Sequence, residues 1–430
     1  MALLLFFLWR YSGVSGNVKE SLSIRKNTEY LRHFAYFNNV ALSSTYQQIK
    51  EEVLSRGLTV VPGTFDACKE KGWKLNCVDS EQHVRGVLDW EIVEIANLNT
   101  IMNVPMNAKD EVDTILAHKK FNDANGIQYK NQTEYSLRYH NFRLRKQKID
   151  EHNGNPKANY TKGYSWAMEF SDSTAGTEMI KRATSQKMYH YVDGNFVDVS
   201  TYMKTHNDEA DDIILMDWRK KNVITPVINQ GGCGSCWAIA AASLIDAYRA
   251  IKTGSLVQHS PQHLLDCTAA NYNCESGGNH ESALKYAENE GICENLSYPY
   301  SAKKESCKAS SCVEKFKVDG ITKLDQATLE QHIANHGPAL VAVILTRDFM
   351  EYSSGIFDGL CESKRLHSVL IVGYGVNKRT NHKFWIVKNS WGPNWGYGGF
   401  YKLSREPQGI FTRPDSFCGV NNHAFGLKIQ

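Results

Sequence analysis

The sequence predicts an α+β fold: a helical lobe followed by a β-rich lobe, both preceded by a mainly helical N-terminal region. Three observations predict it. Residues 236–252 (CWAIAAASLIDAYRAIK) are Ala-rich, with apolar positions at helical spacing, and stop before Gly254, a residue suited to a helix C-terminal cap. Beyond residue 337 come short β-type runs at 340–345, 369–372, 384–387 and 399–403, separated by Gly and Asn turns. Further upstream, Glu134, Arg138, Phe142, Arg145, Ile149 and Asn153 follow one another at steps of three and four, which places them on one helix face.

The chain has 430 residues, enough for two or three domains at roughly 100–200 residues each. Hydrophobic residues make up 42% and charged residues 22%, the balance of a soluble globular protein. The net charge of +3 is too small for a nucleic-acid-binding surface. No run of about 18 apolar residues is present, which excludes a membrane-spanning helix.

In chain order, residues 1–16 read as a secretory signal: an apolar run to Trp9, then small residues at Ser12, Gly13, Ser15 and Gly16. Its first residues lack Lys and Arg, a departure from the template. Residues 17–115 form an extension of unknown role, with Tyr30, Leu31, Phe34 and Phe37 at helical spacing. Cys68 and Cys77 would close a small loop around Trp73. Residues 116–212 are basic and helical at first, then polar from 201 to 212, which reads as a linker open to proteolysis. Residues 213–430 hold nine of the 11 cysteines. Nine is odd, so if the others pair, one thiol stays free. Sequons at Asn131, Asn159 and Asn295 also point to the secretory pathway, with an extracellular or lysosomal destination.

The strongest chemical signal is Gln230-Gly231-Gly232-Cys233-Gly234-Ser235-Cys236-Trp237. Its glycines allow a tight turn before a helix, placing Cys236 at the helix N-terminus, where the dipole and free N–H groups favour a thiolate. A Cys-x-x-Cys metal or redox pair is the plainer alternative, but no second pair stands at zinc spacing. A Cys nucleophile needs a base, and the base an orienting group. His367 heads an apolar strand and Asn389 lies in a turn after the next one, so adjacent strands would bring the two together.

Residues 213–430 resemble a papain-like cysteine protease of the cathepsin L type. The matching runs are the one at 230–237, Ser-Pro-Gln-His-Leu-Leu-Asp-Cys at 260–267, Ser-Tyr-Pro-Tyr at 297–300, the His367 segment and Asn-Ser-Trp-Gly at 389–392. Asp217-Trp218-Arg219 resembles the start of a mature enzyme. The resemblance implies a two-lobed fold, helical plus β-barrel-like. It assigns Cys236 as nucleophile, His367 as proton shuttle, Asn389 as its orienter and Gln230 as an oxyanion donor, with Trp391 covering the His–Asn bond. It also implies the disulfides Cys233–Cys274, Cys267–Cys307 and Cys361–Cys418; parity then leaves Cys293 with Cys312. No metal or organic cofactor is implied.

The helix from 134 to 153 resembles the family's ERFNIN pro-region motif, with Arg145 where the motif has Asn. Phe170 and Asp172 match the end of a second motif, whose Gly and Asn appear as Trp166 and Met168. The resemblance therefore implies a zymogen in which residues 116–212 inhibit the enzyme until cleavage near 209–213. Acid would aid release if pro-region carboxylates hold charged contacts. Positions resembling the substrate pocket are Gly277, Gly278, Asn279, His280, Ala342, Arg365, Ser368, Trp391 and His423. Their polarity leaves two readings: acceptance of polar or acidic P2 groups, or an Arg365 that faces solvent and an apolar preference. Leu366 stands where an Asp commonly precedes the catalytic His. The expected function is a cysteine endopeptidase acting on protein and peptide substrates. The alternatives are an exopeptidase restricted by the extension and a non-catalytic binding homologue.

Overall fold

The computed structural model describes residues 39–61, 86–102, 107–169, 187–192, 195–199, 201–202, 209–312, 314–405 and 417–428. The expected signal, the loop of Cys68 with Cys77, and Phe170 with Asp172 lie outside them. The chain divides into two compact units, residues 1–143 and 144–430.

The first unit contains α1 (Asn39–Ser55), β1 (Thr59–Val61), β2 (Gly86–Leu88), α2 (Asp89–Met102), α3 (Ala108–Asn125) and the first turns of α4 (Gln132–Asn153). Asn107 caps α3 through the N–H of Lys109, and Gly126 ends it in a left-handed conformation. The helices bury Ile49, Val53, Ile92, Ile95, Val112, Ile115 and the rings of Tyr129, Tyr135 and Tyr139 in one core. A buried Lys119–Glu91 pair at 2.8 Å and a Tyr139–Glu111 hydrogen bond satisfy the polar groups taken inside with them. The expected boundary between residues 115 and 116 falls inside α3, so it cuts through this core. Sequence spacing gave no sign of it, because α1 and α2 carry no recognised motif.

The second unit holds two short ribbons, β4 (Tyr189–Val192) with β5 (Asn195–Asp198) and β7 (Ile292–Cys293) with β8 (Lys315–Phe316), and a nine-stranded sheet. Its path runs β3 (Tyr160–Lys162), β11 (Tyr352–Phe357), β14 (Phe400–Ser404), β13 (Lys383–Lys388), β12 (Leu366–Asn377), β10 (Ala339–Ile344), β15 (Ala424–Leu427), β9 (Ile321–Leu324), with β6 (Asp212–Asp217) also pairing β12. The path is open; among the described strands the expected barrel does not close. The helical lobe is α5 (Cys236–Thr253), α6 (Pro261–Cys267) and α7 (His280–Asn289).

Strand alternation explains how one sheet serves two cores. Leu340, Leu370, Val372, Phe384 and Ile386 face the core made with α5, where Trp237, Ala241, Leu244 and Ile245 are buried. Their neighbours Val341, Val343, Val369, Ile371, Trp385 and Val387 face the opposite way, into an aromatic core with Phe349, Trp391, Trp395 and Tyr401. The disulfides Cys233–Cys274, Cys267–Cys307, Cys293–Cys312 and Cys361–Cys418 are all present, and Cys236 is the free cysteine among the described residues.

Residues before 212 take part in this unit. β3 pairs antiparallel with β11, Thr161 Oγ1 lies 2.8 Å from the hydroxyls of both Ser353 and Ser354, and Lys162 reaches Asp348 at 2.8 Å. Asn153 fastens β3 by bonding both the N–H and the C=O of Lys162 at 2.8 Å. Arg145, at the place where the motif has Asn, lies 3.6 Å from the buried Glu351. In these contacts the upstream segment supplies the cations and the later strands the carboxylates. Nearer residue 213 the signs are reversed, in the expected sense: Glu209 and Asp212 meet Lys402, and Asp211 meets Lys378 and Arg379. Of the segment expected to be an open linker, residues 203–208 lie outside the described residues, and its last residue, Asp212, begins β6, which pairs with β12 from Asn377 to Gly373.

Candidate active site

Cys236 is the first residue of α5, an 18-residue helix whose free N–H groups and dipole meet at the thiol. Burial pushes the thiol up from its ordinary value, while hydrogen bonds from the backbone at Ser368, Trp237 and Cys236 and from the Ser368 side chain pull it down. The turn before the helix is tightly packed. A Cβ on Gly278 would lie 2.4 Å from the Trp237 ring, and one on Gly234 would lie 2.9 Å from the Cys274 carbonyl oxygen. Only glycine lets these backbones approach so closely.

His367 and Asn389 are brought together as expected. β12 and β13 run antiparallel, with Leu370 opposite Lys388, so the start of one strand lies beside the end of the other. His367 Nε2 is 2.7 Å from Asn389 Oδ1, which also accepts from the N–H of Ser390. Trp391 stacks on the imidazole at 4.8 Å and 26°. Burial lowers the His367 imidazole to about 4, and the Asn389 bond only partly offsets it. In this state burial favours a neutral thiol at Cys236 and a neutral imidazole at His367, the unarmed forms of both groups.

Gln230 is buried and held at both ends of its amide. Its Oε1 accepts from Ser390 Oγ at 2.7 Å and its Nε2 donates to the Cys233 carbonyl at 2.9 Å. That leaves the second N–H of the amide free to donate elsewhere. Tyr300 braces the same turn, its hydroxyl reaching the Gln230 carbonyl at 2.8 Å and the Ser235 hydroxyl. Sequence reading assigned no role to Ser390 or Tyr300. Both lie in the runs at 389–392 and 297–300, but nothing in a run of residues shows that their hydroxyls hold Gln230.

The other candidate positions divide. His280 and Ser368 are buried and bonded to each other at 2.9 Å, and Ala342 is buried opposite Ser368. Asn279 caps α7 through the N–H of Ser282. Arg365 and His423 are exposed. Gly277 has a left-handed φ of 72°. Of the sequons, Asn131 is exposed, Asn295 is part-buried, and Asn159 donates from Nδ2 to Asp358 at 2.5 Å, a bond that an attached sugar would displace.

The arrangement is that of a thiol, an imidazole fixed by an amide, and an anchored amide donor. Comparison with known proteins agrees. The profile of the papain family cysteine proteases matches residues 215–426. The cathepsin L-like proteinase of Phaedon cochleariae is 30% identical over 344 residues, covering 77% of this chain and 97% of that protein. The cysteine protease Amb a 11 of Ambrosia artemisiifolia is 41% identical over 214 residues, but the match spans only 53% of its length, and 49% of this chain. The crystal structure of the Amb a 11 proform is similar with a TM-score of 0.59 at 28% identity, covering 76% of this chain and 98% of that one. The recombinant stem bromelain precursor gives 0.58 at 27% identity, covering 74% and 99%. The chain belongs to the papain family of cysteine proteases.

Proposed function

We propose that the chain is the zymogen of a cysteine endopeptidase. The observation that carries the reading is the free Cys236 thiol at a helix N-terminus in the same unit as an imidazole that Asn389 fixes under Trp391. Transfer of the Cys236 proton to His367 gives a thiolate that attacks a peptide carbonyl carbon, and the carbonyl π electrons move to oxygen. The free N–H of Gln230 and the backbone N–H of Cys236 receive the oxyanion. His367 then gives its proton to the leaving amine as the C–N bond breaks. It next takes one from water, which attacks the thioester and releases the acid.

Residues 213–430 form the peptidase and the residues before them its inhibitor, with α3 kept whole rather than divided at residue 116 and with maturation near 209–213. The proforms among its structural neighbours support this, as do the β3–β11 pairing and the Lys162–Asp348 pair. Passage through the secretory pathway to the exterior or the lysosome fits four disulfides in one unit. Substrates are proteins and peptides, and Arg365, exposed and at a position that resembles the family's substrate pocket, offers a charge to an acidic P2 group. The test is labelling by an epoxide that alkylates active thiolates, together with cleavage of fluorogenic peptides carrying Leu or Glu at P2. Cys236→Ser must abolish both. Cleavage that survives it ends the proposal, and strong Leu preference ends the acidic-P2 part.

A further inference from the structure

Phe384, Ile386 and Lys388 are alternate residues of β13 and form one row on the face turned to α5. The first two are apolar and pack in the core with that helix, so an apolar residue would complete the row. A lysine stands there instead, only 4% exposed. Its Nζ donates to Thr225 Oγ1 at 3.1 Å and to Ser243 Oγ at 3.3 Å. Thr225 Oγ1 in turn donates to Asp246 Oδ2 at 2.8 Å. All of these side chains are buried. Asp246 does not depend on the lysine, because its Oδ1 also accepts from the backbone N–H of His259 at 2.7 Å and lies 2.9 Å from the Nδ1 of that residue. Burying an ammonium is expensive, and exchanging such a group for an apolar side chain of similar volume is often neutral or stabilising. Folding therefore does not require a lysine at 388. Its place in the chain supplies another reason. Lys388, Asn389 and Ser390 are consecutive, and each holds a different part of the site. Lys388 reaches Ser243, which lies about two turns beyond Cys236 on the same face of α5. Asn389 fixes His367, and Ser390 anchors Gln230.

We propose that Lys388 is a positioning residue: its side chain ties the end of β13 to α5 and so sets where the Asn389–His367 pair stands along the helix that carries the nucleophile. The inference deepens the peptidase reading and rests on it. The charged and titratable groups around the ammonium are Asp246 on α5 and, behind it, His259, whose Nε2 lies 3.4 Å from Arg249 Nη1, itself paired with Glu294 at 2.8 Å. Burial lowers the Lys388 ammonium to about 8, against the opposing pull of Asp246. Below that value the side chain is charged, the form that both hydroxyls hold most firmly.

For the test, full chains are expressed, trimmed near 209–213 with pepsin and assayed on fluorogenic peptides, with active sites counted by epoxide titration. Lys388→Met keeps the volume and completes the apolar row. It should lower kcat by about 10–100-fold with KM within about twofold, because the cost is one of geometry at the reacting groups. Its urea midpoint should match or exceed that of the wild type. Ser243→Ala removes the anchor on α5 and leaves β13 untouched; it should lower kcat by about threefold and provides a second reading if the methionine variant fails to fold. In an Asn389→Ala background Lys388→Met should cost nothing further, since it acts through Asn389. The unprocessed chain gives a readout that needs no cleavage. With isotope-labelled histidine at neutral pH, the His367 Nε2–H that Asn389 accepts should exchange with water about 10-fold faster in Lys388→Met than in the wild type. An unchanged kcat in Lys388→Met, a loss of kcat that merely follows a loss of stability, or full additivity with Asn389→Ala overturns the proposal. Cleavage by the wild type with kcat and ring exchange unchanged in Lys388→Met sinks the positioning role alone. Faster ring exchange in the variant with no cleavage by the trimmed wild type sinks the peptidase reading alone.

Discussion

Replacing Thr161 by Val isolates one contact between the upstream segment and the sheet. Thr161 Oγ1 meets Ser353 and Ser354 at 2.8 Å each, and both serines are buried. Valine keeps the shape and the β propensity but removes the hydroxyl. Ser353 keeps a 3.1 Å hydrogen bond to the Thr161 carbonyl, so β3 retains its main-chain register. At about 1 kcal/mol net for each lost hydrogen bond, the closed form loses about 2 kcal/mol. If the segment must detach before Cys236 reacts, the detached fraction rises about 30-fold, at 1.4 kcal/mol per tenfold. The assay is the rate of epoxide labelling of Cys236 in the unprocessed chain at neutral pH, with bacterial expression so that loss of the Asn159 sequon has no effect. Thr161→Ser, which keeps the hydroxyl, should label within about threefold of the wild type. Equal labelling of the Val variant and the wild type would refute the idea that β3 holds the thiol out of reach.

Gln230→Ala in the processed enzyme should lower kcat by about 10²–10³-fold with little change in KM, measured with fluorogenic peptides, because it removes an oxyanion donor and leaves the thiol in place. His263 accepts the Cys293 N–H at Nδ1, and burial lowers its imidazole to about 4. Its unfolded value is higher, so the neutral ring contributes stability above about 6.5 that is lost as pH falls toward 4, up to about 2–3 kcal/mol. His263→Gln should therefore have a lower Tm than the wild type at pH 7.5 and a smaller deficit, or none, at pH 4.5; parallel curves would contradict the burial argument. Gly278→Ala drives a methyl into the Trp237 ring and should destabilise the peptidase by about 1–3 kcal/mol, seen as a lower urea midpoint.

The helix at Cys236 was legible because an apolar period, a glycine turn before it and Gly254 after it all agree. The His367–Asn389 pair was legible because strands with alternating faces, joined in sequence, bring known ends together. The N-terminal boundary was not legible, because α1, α2 and α3 share a core through Ile49, Ile92 and Ile115, and such packing leaves no local signature at residue 115. The direction of the ion pairs was also hidden. Nothing in the sequence shows that Lys162 meets Asp348, 186 residues on, until the strands are placed. The same holds for the anchors of Gln230, since Ser390 is 160 residues away along the chain.

β3 is the outermost strand of the nine-stranded sheet and covers the margin of β11. Departure of the upstream segment would strip that margin and leave a row of bare amides and carbonyls at Tyr352, Ser354 and Gly355, ready to template a foreign extended chain. Maturation by this route carries a colloidal hazard: the freshly trimmed molecule acquires a sticky selvage, and crowding or a lost surface charge near it would favour self-association.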